Sequence, residues 1–331
     1  MFVFGFEFDF FFADITLADL FMGCIKTIID TVVLVFKMTW VIIAESIKAC
    51  LPFRCLGQKS VKDKLVLITG GSSGLGKCLA KEFGKRGAHV IIWGGTLERV
   101  KNTERELRAI NMKVHSYCFD ISNTSAIAEA AEDVHMRFGK VDILVNNAAI
   151  INGQPLIDLP FNAIDKAIKI NTIAYLHTVK HFLPTMLESN SGHIVTIASL
   201  CSYLATPFMT EYVTTKFSNL GMHTGLSEDI RALGKTGVKT TVVCPGHIKT
   251  ELFKGFHNNS IIHPSLTAEY VAQKAIHAIL ADRDMVAMPF TNYIIILSKA
   301  ILPRRALELI ADYMGHTHAM DKFIGRQPLK Y

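Results

Sequence analysis

The run Leu65–Thr69 (LVLIT) passes directly into Gly70-Gly71-Ser72-Ser73-Gly74-Leu75-Gly76, and a helical pattern follows to Arg86. A strand, a glycine turn and a helix in that order restrict the fold more than any other feature of the chain. Gly70 permits a sharp exit from the strand. Gly74 lets backbone approach a pyrophosphate, and Gly76 lets the helix lie close to the sheet. The first N–H groups of the helix, which have no partner within it, then face the phosphates. The spacing Gly-x3-Gly-x-Gly departs from the commoner Gly-x-Gly-x2-Gly.

The same alternation continues. Strands are predicted over residues 89–93 (HVIIW), 113–119, Ile143–Asn146, 193–199 (HIVTIAS) and 239–244 (KTTVVC). Helices are predicted over 97–110, from a Ser122 cap to Phe138, over 161–187 and over 211–233. Continuous apolar strands alternating with helices indicate a parallel sheet buried on both faces. That is a doubly wound, Rossmann-type α/β architecture, with its ligand crevice at the carboxyl ends of the strands. Half of the 331 residues are hydrophobic and 19% are charged, which excludes a disordered chain. The net charge is +6, but the basic residues are scattered, so no nucleic-acid partner is expected. Seven cysteines, an odd number with no C-x-x-C pair, read as reduced thiols in a body facing the cytosol.

The first sixty residues differ in kind. Seven Phe fall within residues 1–12, and no structure is assigned to them. Of the seventeen residues 28–44, thirteen are hydrophobic. Seventeen helical residues cover about 25 Å, short of a comfortable bilayer crossing. At 100° per residue, Lys26, Asp30, Lys37, Glu45 and Lys48 share an arc of about 100°, with Trp40 beside it. That stripe predicts a helix from about Ile25 to Cys50 lying in one leaflet, with Val33, Leu34, Val41 and Ile42 toward the acyl chains. The alternatives are a helix packed on the protein's own surface and a tilted span with Lys37 snorkelling. Pro52 ends the pattern, and Lys48, Arg54, Lys59, Lys62 and Lys64 follow or flank it as a basic linker. Residues 1–60 therefore read as anchor and linker, 61–290 as a dinucleotide-binding catalytic domain, and 291–331 as an extension. The extension's run 293–302 (YIIILSKAIL) reads as a second membrane contact near the substrate mouth.

Further positions are spaced in a recognisable way. Asn146-Asn147-Ala148-Ala149 follow the fourth strand, and Asp120 and Ile121 follow the third. Ser199 is followed by Tyr212 and, four residues on, by Lys216, with Asn171 in the preceding helix. Pro245-Gly246, Ile248 and Thr250 follow the last strand. Together with the glycine loop, this set resembles the short-chain dehydrogenase/reductase family of the classical type, over roughly residues 62–289. The basic linker, LTAEYVAQKAI at 266–276 and MDKFIGR at 320–326 resemble one branch of it. That branch holds membrane-associated epidermal retinol dehydrogenases and lipid-droplet 17β-hydroxysteroid dehydrogenases.

The resemblance implies an NAD(P)-dependent oxidoreductase acting on a lipophilic alcohol or its carbonyl. Retinol/retinal is the first substrate expected and a hydroxysteroid the second; a surface scaffold with weak activity is the competing reading. It implies a catalytic set of Asn171, Ser199, Tyr212 and Lys216. The cofactor would be held by Gly70, Ser72, Ser73, Gly74, Leu75, Gly76, Gly94, Asp120, Ile121, Asn147, Ala148, Tyr212, Lys216, Pro245, Gly246, Ile248 and Thr250. Tyrosine has an ordinary pKa of about 10, and Lys216, one helical turn on, is expected to lower it. Ser199 would donate to the substrate oxygen, and Asn171 would hold a water that relays protons to Lys216. An Asp that binds both ribose hydroxyls of NAD is expected after residue 93, but Gly94 stands there. With Gly95, Thr96 and Arg99 nearby, this favours NADP over NAD. His177 and His181 lack a third ligand, so no metal is expected. The branch further implies an endoplasmic-reticulum membrane or lipid-droplet location, and a homodimer paired through the helices of Asn171 and Tyr212.

Overall fold

The computed structural model describes residues 17–50, 57–257, 260 and 263–325. The Phe-rich stretch 1–12, Pro52, Arg54 and Arg326 lie outside the described residues, as do the side chains of Glu45 and Lys48. The chain forms two compact units, Met1–Gly57 and Gln58–Tyr331.

Among its described residues the first unit contains one helix, α1 (Leu17–Cys50, 34 residues). Its apolar part, Phe21–Ala44, has 24 residues, a mean hydropathy of 1.9, and none of it is buried. Twenty-four helical residues rise about 36 Å, enough to cross a hydrocarbon core of about 30 Å. The seventeen-residue estimate is therefore too short. Phe21, Met22, Cys24 and Ile25 extend the apolar run, with Lys26 and Thr27 between them and Ile28. The Thr27, Thr31 and Thr39 hydroxyls donate to the carbonyls of Gly23, Thr27 and Val35 at 2.9, 2.7 and 2.9 Å. These polar side chains thus find partners within the helix itself.

In the second unit a seven-stranded parallel sheet comprises β1 (Leu65–Thr69), β2 (His89–Gly94), β3 (Val114–Cys118), β4 (Ile143–Asn146), β5 (Gly192–Ile197), β6 (Val238–Pro245) and β9 (Met285–Met288). Its order is β3-β2-β1-β4-β5-β6-β9. Two residues each of β7 (Ile248–Lys249) and β8 (Leu266–Thr267) form a separate parallel pair. The helices are α2 (Gly74–Lys85), α3 (Leu97–Ala109), α4 (Thr124–Phe138), α5 (Phe161–Ile168), α6 (Ala174–Glu188), α7 (Thr210–Ala232), α8 (Ala268–Leu280), α9 (Thr291–Ile301) and α10 (Arg304–Tyr313).

Strand interiors such as Val66, Leu67, Ile68, Val90, Ile91 and Ile92 are fully buried, as a sheet covered on both faces requires. On one face Trp93, Ile127, Val134, Phe182 and Met186 form a continuous core, with the Trp93 ring 5.0 Å from Phe119 and 5.8 Å from Phe182. Strand order reverses between β1 and β4, so the crevice opens where their carboxyl ends diverge.

Several elements depart from the sequence reading. Asn123, not Ser122, caps α4: its side chain accepts from the N–H groups of Ser125 and Ala126, while Ser122 turns back to Asp120. The long helix over 161–187 contains a π-helical segment, Lys169–Ile173, between α5 and α6, and Asn171 sits in it. The sheet gains β9 and the helical layer gains α8, which buries Val271, Ala272, Ala275, Ile276 and Ile279. The run 293–302 is divided. Ile295 packs with Leu200 and Met314, whereas Ile294, Leu297 and Ile301 face outward.

Candidate active site

A cleft of about 470 Å³ runs along the carboxyl ends of the central strands. Its floor is Gly70, Ser72, Ser73, Gly74, Leu75 and Gly76, from the turn between β1 and α2. Gly70 and Gly74 have φ of +65° and +51°, a region that favours glycine. A Cβ on Gly76 would lie 2.2 Å from the Gly70 carbonyl and 2.6 Å from Asn147 Nδ2, so no side chain fits between helix and turn. Helix α2 has no acidic residue in its first turn. A glycine floor under a helix N-terminus without acid suits an anionic dinucleotide.

Gly94, Gly95, Thr96 and Arg99 line one end of the cleft, with Asp120 and Ile121 beside them. A Cβ on Gly94 would lie 2.6 Å from Ser72 Oγ and 2.6 Å from Val100 Cγ2. Ser72 therefore occupies the space that a carboxylate-bearing residue at 94 would need. Burial raises the Asp120 carboxyl, but hydrogen bonds from the Ser122 N–H and hydroxyl outweigh it and leave Asp120 below its ordinary value. Asn147, Ala148, Pro245, Gly246, Ile248 and Thr250 line the other side. The Asn147 side chain donates to the Thr69 carbonyl at 2.9 Å, tying β4 to β1.

Ser199, Tyr212 and Lys216 meet in the same cleft. Ser199 follows β5, and the other two lie one turn apart on α7. Ser199 Oγ accepts from the Cys201 N–H at 3.1 Å, which leaves its proton to donate. Lys216 Nζ donates to the Ile197 carbonyl at 2.8 Å and stands 5.4 Å from the Tyr212 ring centroid. Burial pulls the Lys216 ammonium down to about 8. Burial also pushes the Tyr212 phenol well above its ordinary value; Cys201 and Tyr175 push the same way, and the Ser199 hydroxyl pulls back. The expected lowering of Tyr212 by Lys216 is thus reversed among the protein's own groups, because desolvation of both side chains dominates.

Asn171 is fully buried and does not line the cleft. Its Oδ1 accepts from the Ile150 N–H at 2.9 Å, and its Nδ2 donates to the Ile150 carbonyl and to Thr215 Oγ1 at 2.9 and 3.1 Å. It positions the strand-end loop against α7.

Several residues near the cleft were not anticipated. Phe253 stands edge-on to Tyr212 at 6.0 Å. Met320 and Phe323 from the C-terminal tail pack around Tyr212 with Ile151 and Met209. His247, His263 and His316 line a smaller pocket together with Ser199. They come from three distant loops with no local periodicity, so no window of sequence unites them.

Comparison with known proteins places this architecture. A family model described as short chain dehydrogenase matches residues 64–260. The chain belongs to the short-chain dehydrogenase/reductase family and is an oxidoreductase. Within the family it is similar to retinol dehydrogenase 10 of Homo sapiens, at 32% identity over 328 residues, covering 91% of this chain and 95% of that protein. Retinol dehydrogenase 10-A of Xenopus laevis matches with the same identity and coverage. A metagenomic short-chain oxidoreductase solved in complex with NADP shares 26% identity and a TM-score of 0.59, over 69% of this chain and 97% of that one. A short chain dehydrogenase of Bacillus anthracis shares 26% identity and a TM-score of 0.62, over 70% and 98%.

The buried lysine has a consequence for stability. Lys216 titrates near 8 in the fold and near 10.5 when unfolded, so between those values the unfolded chain binds more protons and stability rises with pH. Lys216→Met should remove that rise. Melting temperatures of both proteins from pH 7 to 10.5 check it: the gap between the curves should shift toward the wild type above pH 8. Parallel curves would contradict it.

Proposed function

We propose that the protein interconverts a lipophilic alcohol and its carbonyl with a nicotinamide dinucleotide at a membrane surface, retinol/retinal being the first substrate and a hydroxysteroid the second. One observation carries this reading. Ser199, Tyr212 and Lys216 converge where the glycine-floored cleft meets an apolar pocket of Leu204, Met209, Phe253 and Phe256. The likeness to retinol dehydrogenase 10 supports the retinoid. A bound nicotinamide would supply or accept the hydride. The chain's residues handle the proton. In reduction Tyr212, held neutral by burial, donates to the carbonyl oxygen, and the Ser199 hydroxyl donates a second hydrogen bond to it. In oxidation Tyr212 accepts the alcohol proton, which requires a lowered phenol. Lys216 supplies the nearby positive charge, and Asn171 keeps the Ile150 backbone and Thr215 in place.

NADP is the favoured cofactor. Ser72 and Gly94 leave no carboxylate to repel a 2′-phosphate, and Arg99 lines that end of the cleft. Gly94→Asp alone is not a clean test, because its Cβ would collide with Ser72 and Val100. The direct test is a screen of retinoids, steroids and fatty aldehydes with both cofactors, together with fluorescence titration of NADPH and NADH. Tighter NADPH binding and turnover of a retinoid are expected. Tighter NADH binding would overturn the cofactor assignment, and no turnover of any lipophilic alcohol or carbonyl would overturn the function.

Helix α1 provides the membrane attachment, on the endoplasmic reticulum or a lipid droplet, with the catalytic unit in the cytosol. An in-plane helix is favoured because Asp30 and Lys37 fall well inside Phe21–Ala44. In a span each would cost about 2.5–3.5 kcal/mol near the bilayer centre. The 24-residue length supports the second reading, a span. Phe290, Ile294, Leu297 and Ile301, exposed on the C-terminal extension, support a second contact. Exposed Leu176 and Phe217 on α6 and α7 support a homodimer. A glycosylation acceptor placed before Phe2, with protease applied to the cytosolic side, distinguishes the anchors. It should remain unglycosylated while the body is digested; a glycosylated tag with a digested body means that α1 crosses.

A further inference from the structure

A small pocket of about 40 Å³ is lined by Ser199 and by His247, His263 and His316. By volume it has room for about three waters, or for the polar end of a larger molecule. Leu204, Met209 and Phe256 give it apolar walls, and Cys201 and Thr206 also line it. Among the described residues, His247 Nε2 and His316 Nδ1 are both buried from solvent with no hydrogen-bond partner. A buried ring nitrogen without a partner is costly, and such atoms in native folds call for an explanation.

The surroundings hold these rings in place. His247 Nδ1 lies 2.8 Å from Ser265 Oγ, and its ring stacks on Phe256 at 4.3 Å. The His316 ring stands edge-on to His263 at 5.8 Å. His263 is fixed in turn. Asn292 Nδ2 donates to the Cys244 and Met288 carbonyls, so its Oδ1 faces His263 Nε2 at 2.6 Å and accepts from it. The subsite also lies within reach of the reacting atoms. Phe253 stands 6.0 Å from the Tyr212 ring and 5.6 Å from the His247 ring, so the two outer rings are separated by at most about 12 Å.

We infer that His247 and His316 form a subsite for a second, neutral oxygen of the substrate, a hydroxyl or ketone remote from the oxygen that reacts at Tyr212. The inference rests on the lipophilic-alcohol reading above and applies to its second substrate class, hydroxysteroids with an oxygen function at two separate places; retinol, with one oxygen, would not engage the subsite. Burial pulls His247 and His316 down to about 4, with the neighbouring His263 adding to it at both and Lys249 at His247. Both rings are therefore uncharged at neutral pH. A neutral imidazole offers one donor and one acceptor, which matches a hydroxyl or a carbonyl, and no lysine or arginine is among the described residues that line the pocket. A site built to hydrogen-bond an oxygen discriminates strongly against the analogue that lacks it.

The test uses the full-length protein with skeleton-matched pairs: a 17-ketosteroid with and without a 3-hydroxyl, and a third analogue carrying a carboxylate at that end. Both kcat/KM and the equilibrium Kd, from quenching of intrinsic fluorescence, are measured. The hydroxyl should improve both by about tenfold or more, and the carboxylate should not. His247→Leu and His316→Phe should each collapse the ratio toward one, and His316→Gln, which keeps a donor and an acceptor, should restore part of it. Equal Kd values for the pair in the unmodified protein would overturn the subsite, as would variants that leave the ratio unchanged. The binding ratio reads the subsite without turnover. A preserved ratio with no reaction on any substrate therefore overturns the proposed function and leaves the subsite standing.

Discussion

The crevice depends on one joint, where β1 and β4 part at their carboxyl ends. The Thr69 hydroxyl accepts from the N–H groups of Asn147 and Ala148 at 2.9 and 3.1 Å, and Asn147 Nδ2 returns a bond to the Thr69 carbonyl. These bonds bind the last residue of β1 to the start of the loop after β4. They set the glycine turn against that loop so closely that Gly76 and Gly70 tolerate no side chain. A second buried polar joint repeats the pattern one layer away: Asn171 clamps both backbone groups of Ile150 and reaches Thr215 on α7. Through these two joints the cleft floor, the loop after β4 and the helix carrying Tyr212 and Lys216 become one rigid assembly. Rigid placement of this kind is what lets a few polar groups act on a transition state.

Within that assembly, burial governs the chemistry. Tyr212 and Lys216 are nearly inaccessible, and desolvation drives each toward its neutral form. A neutral phenol beside a lysine that titrates near 8 is poised for donation, the step that carbonyl reduction requires. Oxidation calls for the opposite state, so positive charge brought close to Tyr212 is the lever that would reverse the site. The small pocket that shares Ser199 adds a different kind of selectivity. It has apolar walls and two neutral imidazoles without a hydrogen-bond partner among the described residues, a combination that rewards a substrate for a second oxygen.

The sequence made the central architecture legible because parallel strands buried on both faces are continuous apolar runs. LVLIT, HVIIW and ILVN need no tertiary information to be recognised. The glycine loop and the Ser199, Tyr212 and Lys216 spacing converge in space as expected, since each lies at the end of such a strand or on the helix that follows it. What was not legible depends on tertiary contact. The strand Met285–Met288 is four residues long, too short to be distinguished from a loop. The π-helical segment around Asn171 leaves no mark in the hydrophobic period. Ser72 and Gly94 each read as an ordinary small residue, and only the fold shows that a Cβ at 94 would meet Ser72 Oγ at 2.6 Å. The three pocket histidines are separated by up to about seventy residues of chain, so their meeting is a property of the fold.

In the proposed reaction Tyr212 carries the proton in hydride exchange while the cleft holds the cofactor independently of it. Tyr212→Phe removes one hydroxyl and leaves the ring that packs against Phe253. The decisive measurement is kcat for this variant beside its NADPH dissociation constant. The account predicts that kcat falls by about a hundredfold or more while the dissociation constant stays within about threefold of the unmodified protein. A variant that retains near-normal kcat would contradict it.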